Sequence, residues 1–160
     1  MEAVVESRRR LRLAVALIGL TALATACGVL PVLRGSLQAY YGLSNAWFGF
    51  LVSFGSLAGA AGALATGPLV DRHGAWPVFR LSVAGCAAGY AWGAVPGGLW
   101  TMVAALAGIS FFYCAMAIAA QAALVALYPN DRRRVITAYL VGAALMGVVL
   151  PLIGEAQLRV

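Results

Sequence analysis

Charge is what this chain has least of. Only 10% of its 160 residues are Asp, Glu, Lys or Arg, and 63% are hydrophobic, whereas soluble domains are roughly 25% charged and about 45–50% apolar. A water-soluble core could not hide that much apolar surface, so a soluble globular fold is excluded. Lysine is absent: all 11 basic residues are arginine, set against 5 acidic ones, for a net charge of +6. That sign would suit a nucleic-acid partner. Most of the arginines, however, fall in short clusters between apolar runs, and the main aromatic cluster lacks the interleaved basic residues of a stacking platform. No nucleic-acid partner is expected.

Histidine and cysteine are equally sparse. The single histidine, His73, sits in a charged stretch with no second His or Cys beside it, which removes most metal chemistry and leaves a solvated loop residue. Cys27, Cys86 and Cys114 all fall inside apolar runs. Their odd number and placement argue against a disulfide framework or a zinc site and for small buried hydrophobes. No serine or cysteine is matched by a spanning histidine or lysine, and no two carboxylates share a run, so a membrane enzyme has no catalytic pair to work with. The chain is expected to hold no cofactor or metal and not to be an enzyme.

What is abundant is apolar sequence in long blocks. A bilayer core of about 30 Å takes about 20 helical residues, and five runs approach or exceed that length: about 13–33, 45–66, 77–95, 99–127 and 135–154. The second is entered through Ser44-Asn45, a helix-capping pair. The third is stopped by Pro96-Gly97-Gly98 and the fourth by the charged segment Pro129 to Arg134. The fourth is long enough to tilt or kink. The predicted fold is all-α, a polytopic membrane helical bundle of about five transmembrane helices with the lipid bilayer as its surroundings. Residues 1–12 form a basic N-terminus, 13–154 the bundle and 155–160 a short tail.

Arginine placement orients the bundle. Arg8, Arg9, Arg10 and Arg12 precede the first run, Arg72 and Arg80 flank the junction of the second and third, and Arg132, Arg133 and Arg134 join the fourth to the fifth; only Arg34 and Arg159 fall on the other side. By the positive-inside rule the N-terminus and the second and fourth connections are cytoplasmic, which makes this a multi-pass protein of the cell membrane. Tyr40, Tyr41, Trp47, Phe48 and Trp100 then mark the outer interface, and Trp76, Phe79 and Tyr128 the inner one. Ser7-Arg8-Arg9-Arg10-Leu11 has the look of a twin-arginine export signal, and Ala24-Thr25-Ala26-Cys27 of a lipoprotein cleavage site. The apolar run continues past Cys27 to Leu33 and leads to more membrane, so a positively flanked first span explains the same residues.

Membrane helices associate where small residues let backbones approach. Gly55, Gly59 and Gly62 with Ala58 and Ala65 in the second run, and Gly85, Gly89 and Gly93 in the third, predict packing faces. In the fifth run Pro151, with Gly147 and Gly154, removes a helical hydrogen bond and makes a candidate hinge.

The most specific pattern joins the second and third runs: Gly67-Pro68-Leu69-Val70-Asp71-Arg72-His73-Gly74, followed by Arg80. Gly67 and Gly74 would allow a tight turn, Asp71 can accept from a helix N-terminus, and Arg72 and Arg80 can pair with carboxylates or helix C-termini. This resembles the signature loop of the major facilitator superfamily, G-x-L-x-D-R-x-G with a later basic residue, in the same position between spans two and three. The resemblance implies a clasp, carried by Gly67, Leu69, Asp71, Arg72, Gly74 and Arg80, that helps hold the inner side shut in the outward-facing state. Ala75 and Trp76 stand where the family often has a basic pair, so the charge network is thinner. The fourth run also lacks the arginine of many proton-coupled members. Gly147, Pro151 and Gly154 keep a loose version of the family's fifth-span pattern.

Halves of the family consist of two inverted three-helix units, which would turn spans one and four toward a central cavity. On that reading Thr21 and Thr25 on the first, and Ser110, Tyr113 and Gln121 with Cys114 on the fourth, are candidate cavity residues. No acidic or basic residue lies deep in any run, although proton and ion coupling usually need one. The expected function is transmembrane transport of a small solute by alternating access. The chain is expected to be an N-terminal half or fragment of a secondary transporter, completed by a missing C-terminal half or a second chain. The alternative is a small membrane scaffold or interaction protein without transport activity of its own. Substrate, direction and coupling ion are not encoded legibly.

Overall fold

The computed structural model describes residues 9, 34–95, 97–142 and 144. Among these residues the regular structure is entirely helical: α1 (Arg34–Tyr41), α2 (Asn45–His73), α3 (Ala75–Gly93) and α4 (Leu99–Leu127), followed by a helical stretch over 132–142. The chain divides into two compact units, Leu33–Ala119 and a second formed by Met1–Val32 with Ala120–Val160.

In the first unit, α1 has eight residues and buries none of them, so it is too short to be stable by itself. The Leu43 N–H donates to the Gln38 carbonyl at 3.0 Å just past its end, and Gly42, at φ 64°, turns the chain in the left-handed region that glycine enters without penalty. Leu43 is thereby driven into a cluster with Leu51 and Val103, flanked by Tyr41, Leu99, Met102 and Leu106. Ser44 then caps α2, its Oγ accepting from the Trp47 N–H at 3.3 Å, which satisfies one of the orphan donors of the first turn.

α2 and α4 each run for 29 residues, roughly 43 Å at helical rise, well beyond the bilayer core. The apolar part of α2 ends near Thr66, but the helix continues to His73. Composition marks where lipid ends, whereas backbone hydrogen bonding decides where the helix ends. Pro68 lies inside α2 and withholds only the N–H that would have reached the Leu64 carbonyl. α2 and α4 are long and apolar enough to cross a membrane. α3 spans 19 residues, and Pro77, Arg80 and its three glycines leave it without an uninterrupted stretch as apolar as those of α2 and α4.

The glycines of α2 and α3 meet α4. At Gly55 the neighbours are Leu106 and Ser110, at Gly59 Cys114, and at Gly62 the Phe111 backbone; on α3, Gly85 faces the Phe112 ring, Gly89 faces Ile109 and Gly93 faces Ala105. Residues of α4 thus serve two partners from different faces, and α4 is the helix on which both others pack. The Cys86 thiol donates to the Ile109 carbonyl at 3.8 Å across the α3–α4 contact. Thr66 and Ser82, the buried polar residues of this unit, turn their hydroxyls back to the Gly62 and Val78 carbonyls at 2.7 and 2.8 Å, so neither leaves an unmet donor in an apolar setting.

In the second unit the described residues run from the end of α4 through a tight turn, where the Asp131 N–H donates to the Tyr128 carbonyl at 3.2 Å, into 132–142. Ala120, Ala123, Leu124 and Tyr139 are buried. The expected first span at 13–33 and the residues of the expected fifth span beyond 144 lie outside the described residues.

Candidate functional site

The charged junction is built from two helix ends and one residue between them. Gly67 through His73 form the last two turns of α2, and only Gly74 leaves the helix, at φ 82° and ψ 162°. This backbone region is essentially reserved for glycine. The Gly74 N–H donates to the Val70 carbonyl at 2.8 Å, and α3 begins at Ala75. The tight turn expected of Gly67 and Gly74 therefore falls to Gly74 alone. Gly67 is an exposed helical residue with no atom within 4 Å of a β-carbon built on it. The structural reason is that one residue outside ordinary helical geometry suffices to redirect the chain.

The charged side chains at this corner point to solvent. Asp71, Arg72 and Arg80 are exposed, and among the described residues none of them forms an ion pair. Asp71 does not cap α3, whose N-terminus has no side-chain cap. Arg72 and His73 occupy the last turn of α2, where the negative end of the helix dipole favours cations. His73 Nδ1 lies 3.3 Å from the Leu69 carbonyl, which accepts when that nitrogen carries the proton. Asp71 sits at the same helix end, where the dipole disfavours a carboxylate. Its placement thus contributes nothing to local stability. Below the corner, Trp76 and Phe79 meet edge to face at 6.1 Å.

The expected cavity residues separate. Ser110 and Cys114 lie in the α2–α4 contact: Ser110 Oγ is 3.3 Å and Cys114 Sγ 2.9 Å from the positions a β-carbon would take at Gly55 and Gly59. Glycine opens room on α2, and the nearest small polar groups of α4 fill it. Tyr113 and Gln121 are half-buried on α4. Thr21, Thr25 and the candidate hinge Gly147, Pro151 and Gly154 lie outside the described residues. A shallow depression of about 270 Å³ is lined by Ala46, Trp47 and Phe50. It belongs to the apolar outer surface of α2 and touches none of the expected cavity positions. Among the described residues no three of His, Cys, Asp and Glu gather as a metal site would require.

At the opposite end of α2 lies a cluster that sequence reading missed. Asn45 Oδ1 accepts from Arg34 Nη2 at 2.8 Å and from Gln38 Nε2 at 2.9 Å, and the Arg34 guanidinium sits 5.5 Å from the centre of the Phe48 ring. Phe48, expected as an interface anchor, is instead only 9% exposed. The signal available in the sequence was the spacing of Arg34 and Gln38, four apart on one helical face, together with a polar residue at the start of the next helix.

A helical membrane bundle packed on glycine, with a charged corner between two of its helices, is the class that these features define. The sequence model of the Major Facilitator Superfamily matches residues 13–157, and the chain belongs to that superfamily. Members of the superfamily are transporters rather than enzymes, and the function here is of the transporter type. No curated protein and no solved structure matches the chain.

Proposed function

We propose that this chain forms the N-terminal bundle of a secondary transporter that moves a small solute across the cell membrane by alternating access. The N-terminus and the α2–α3 corner lie on the cytoplasmic side, and further polypeptide supplies the opposing bundle. In such a machine the pathway lies between two bundles that rock about a fixed site. The observation that carries this reading is the corner itself: Asp71, Arg72 and Arg80 are exposed and have no ion-pair partner among the described residues. They are therefore free to engage a helix end or carboxylate of the opposing bundle. Engaged, they would hold the inner side closed; released, they would let it open.

Among the described residues every charged side chain is exposed. α2, α3 and α4 thus offer no buried carboxylate for ion coupling, and recognition within this bundle falls to neutral groups such as Tyr113 and Gln121. The competing scaffold reading draws on the same glycine-packed, charge-free interior. Replacing Asp71→Asn in the complete transporter distinguishes the two. Uptake of a panel of labelled sugars, amino acids and organic ions is expected to fall to background for the transported member while membrane insertion stays normal. Unchanged uptake, or no uptake of any solute by the unaltered protein, would favour the scaffold.

A further inference from the structure

We propose that α1 is a latched lid on the end of α2 and α4, with Asn45 as the catch and Leu43 as the pivot. α1 is short and buries no residue, and its last residue, Tyr41, packs partly buried on the cluster of Leu43, Leu51 and Val103. Its polar attachments among the described residues can be named. Arg34 and Gln38, one turn apart, both donate to Asn45 Oδ1. Arginine can only donate, so the carboxamide atom facing it must be the oxygen, and Gln38 must then present its NH₂ group. The network has one possible arrangement. Beneath it Arg34 covers the buried Phe48 ring, and past Gly42 the chain is anchored by Leu43 in its cluster with Leu51 and Val103.

This arrangement gives the lid a defined motion. Breaking two bonds to a single exposed acceptor releases the face of α1 that carries Arg34 and Gln38, while Tyr41, packed on the cluster, and Leu43, at 9% exposure, keep the corner seated. Elements with few buried contacts and exposed hydrogen bonds open at far lower free energy than the core they rest on. Opening withdraws the Arg34 guanidinium from the Phe48 ring and leaves the Asn45 amide oxygen unoccupied. Because the acceptor is neutral the catch is weak, and an aspartate at the same place would keep both bonds and add a charge attraction to Arg34. On the topology proposed above, the lid lies at the outer mouth of the bundle.

The test is hydrogen exchange read by mass spectrometry on the full chain in lipid nanodiscs, following the amides of 38–43, which carry the protected bonds of α1 and its corner. Asn45→Ala should accelerate their exchange about tenfold, the effect of losing roughly one to two ordinary hydrogen bonds, and leave 48–73 unchanged. Ser44 still caps α2 in that variant. Asn45→Asp should slow exchange at 38–43 severalfold in low salt, with the slowing erased in high salt as the added attraction is screened. Equal exchange at 38–43 in all three proteins would overturn the proposal. So would acceleration that spreads equally through α2 and α4, since Asn45 would then support the bundle rather than latch a lid. Neither readout depends on transport.

Discussion

A β-carbon at Gly62 would overlap the main-chain carbonyl of Phe111, so α2 and α4 touch backbone to backbone at that point. Only hydrogen fits there, and a flexible side chain cannot move aside because the obstacle is backbone. Gly62→Ala should therefore force the helices apart and lower stability by about 1–3 kcal/mol, the usual cost of overpacking. Gly108→Ala, a helical position where nothing lies within 4 Å, should not destabilise and should gain about 0.5–1 kcal/mol through helix propensity. Thermal unfolding of the two variants in detergent checks this, and equal midpoints would contradict the close contact.

The two glycines of the charged corner should respond in opposite directions. Gly67 is helical and unobstructed, so Gly67→Ala should stabilise the protein by about 0.5–1 kcal/mol through helix propensity. Gly74, at φ 82° and ψ 162°, should not tolerate a β-carbon, and Gly74→Ala should cost on the order of 1–3 kcal/mol. If Gly67→Ala were the more damaging of the two, the turn would have to lie at Gly67.

Asp71 allows stability and activity to be separated. A carboxylate at the C-terminal end of α2 opposes the helix dipole, so Asp71→Asn should leave stability unchanged or raise it slightly, by about 0.3–1 kcal/mol at most. Transport should nevertheless be lost. A clear drop in melting temperature would mean that Asp71 holds the corner together, and the loss of uptake would then say nothing about a clasp.

The entry to α2 rests on one hydroxyl. Ser44→Ala should remove the bond to the Trp47 N–H and cost about 1 kcal/mol, whereas Ser44→Asp should retain the cap. Faster exchange of the first-turn amides of α2 in the alanine variant but not in the aspartate variant is the expected pattern. Equal exchange in both would show that the cap contributes nothing.

The proposed topology can be read directly. In a background with Cys27, Cys86 and Cys114 replaced by alanine, Ser36→Cys should react with a membrane-impermeant maleimide in intact cells. His73→Cys should react only after the membrane is opened. Labelling of both from the same side would reject α2 as a single crossing between them.

The long helices α2, α3 and α4 were legible in the sequence because lipid imposes a coarse requirement: long apolar runs with the backbone bonded internally. The glycine faces were legible for a related reason, since a missing side chain is visible in sequence and is useful mainly where another helix comes close. The register of contact was not. That Gly59 receives Cys114, and that Ser110 is spent on packing against Gly55, depends on how α4 rotates between its two partners. No single-chain periodicity encodes that rotation. The corner was legible as a motif but not as a shape, because glycine and proline mark a turn in most contexts and here α2 absorbs Gly67 and Pro68 without breaking.

By itself the sequence determined the solvent this chain lives in, the approximate lengths of its helices and its family, because apolar mass and a motif of fixed spacing are properties of the chain alone. Tertiary structure decided which glycines are irreplaceable, placed the turn at Gly74, and turned Phe48 inward beneath Arg34. It also brought Arg34, Gln38 and Asn45 onto one oxygen. The glycine contacts depend on distances between segments far apart in sequence, and the Gly74 turn and the Asn45 cluster on how neighbouring helices are joined; such distances exist only once the helices have formed and packed.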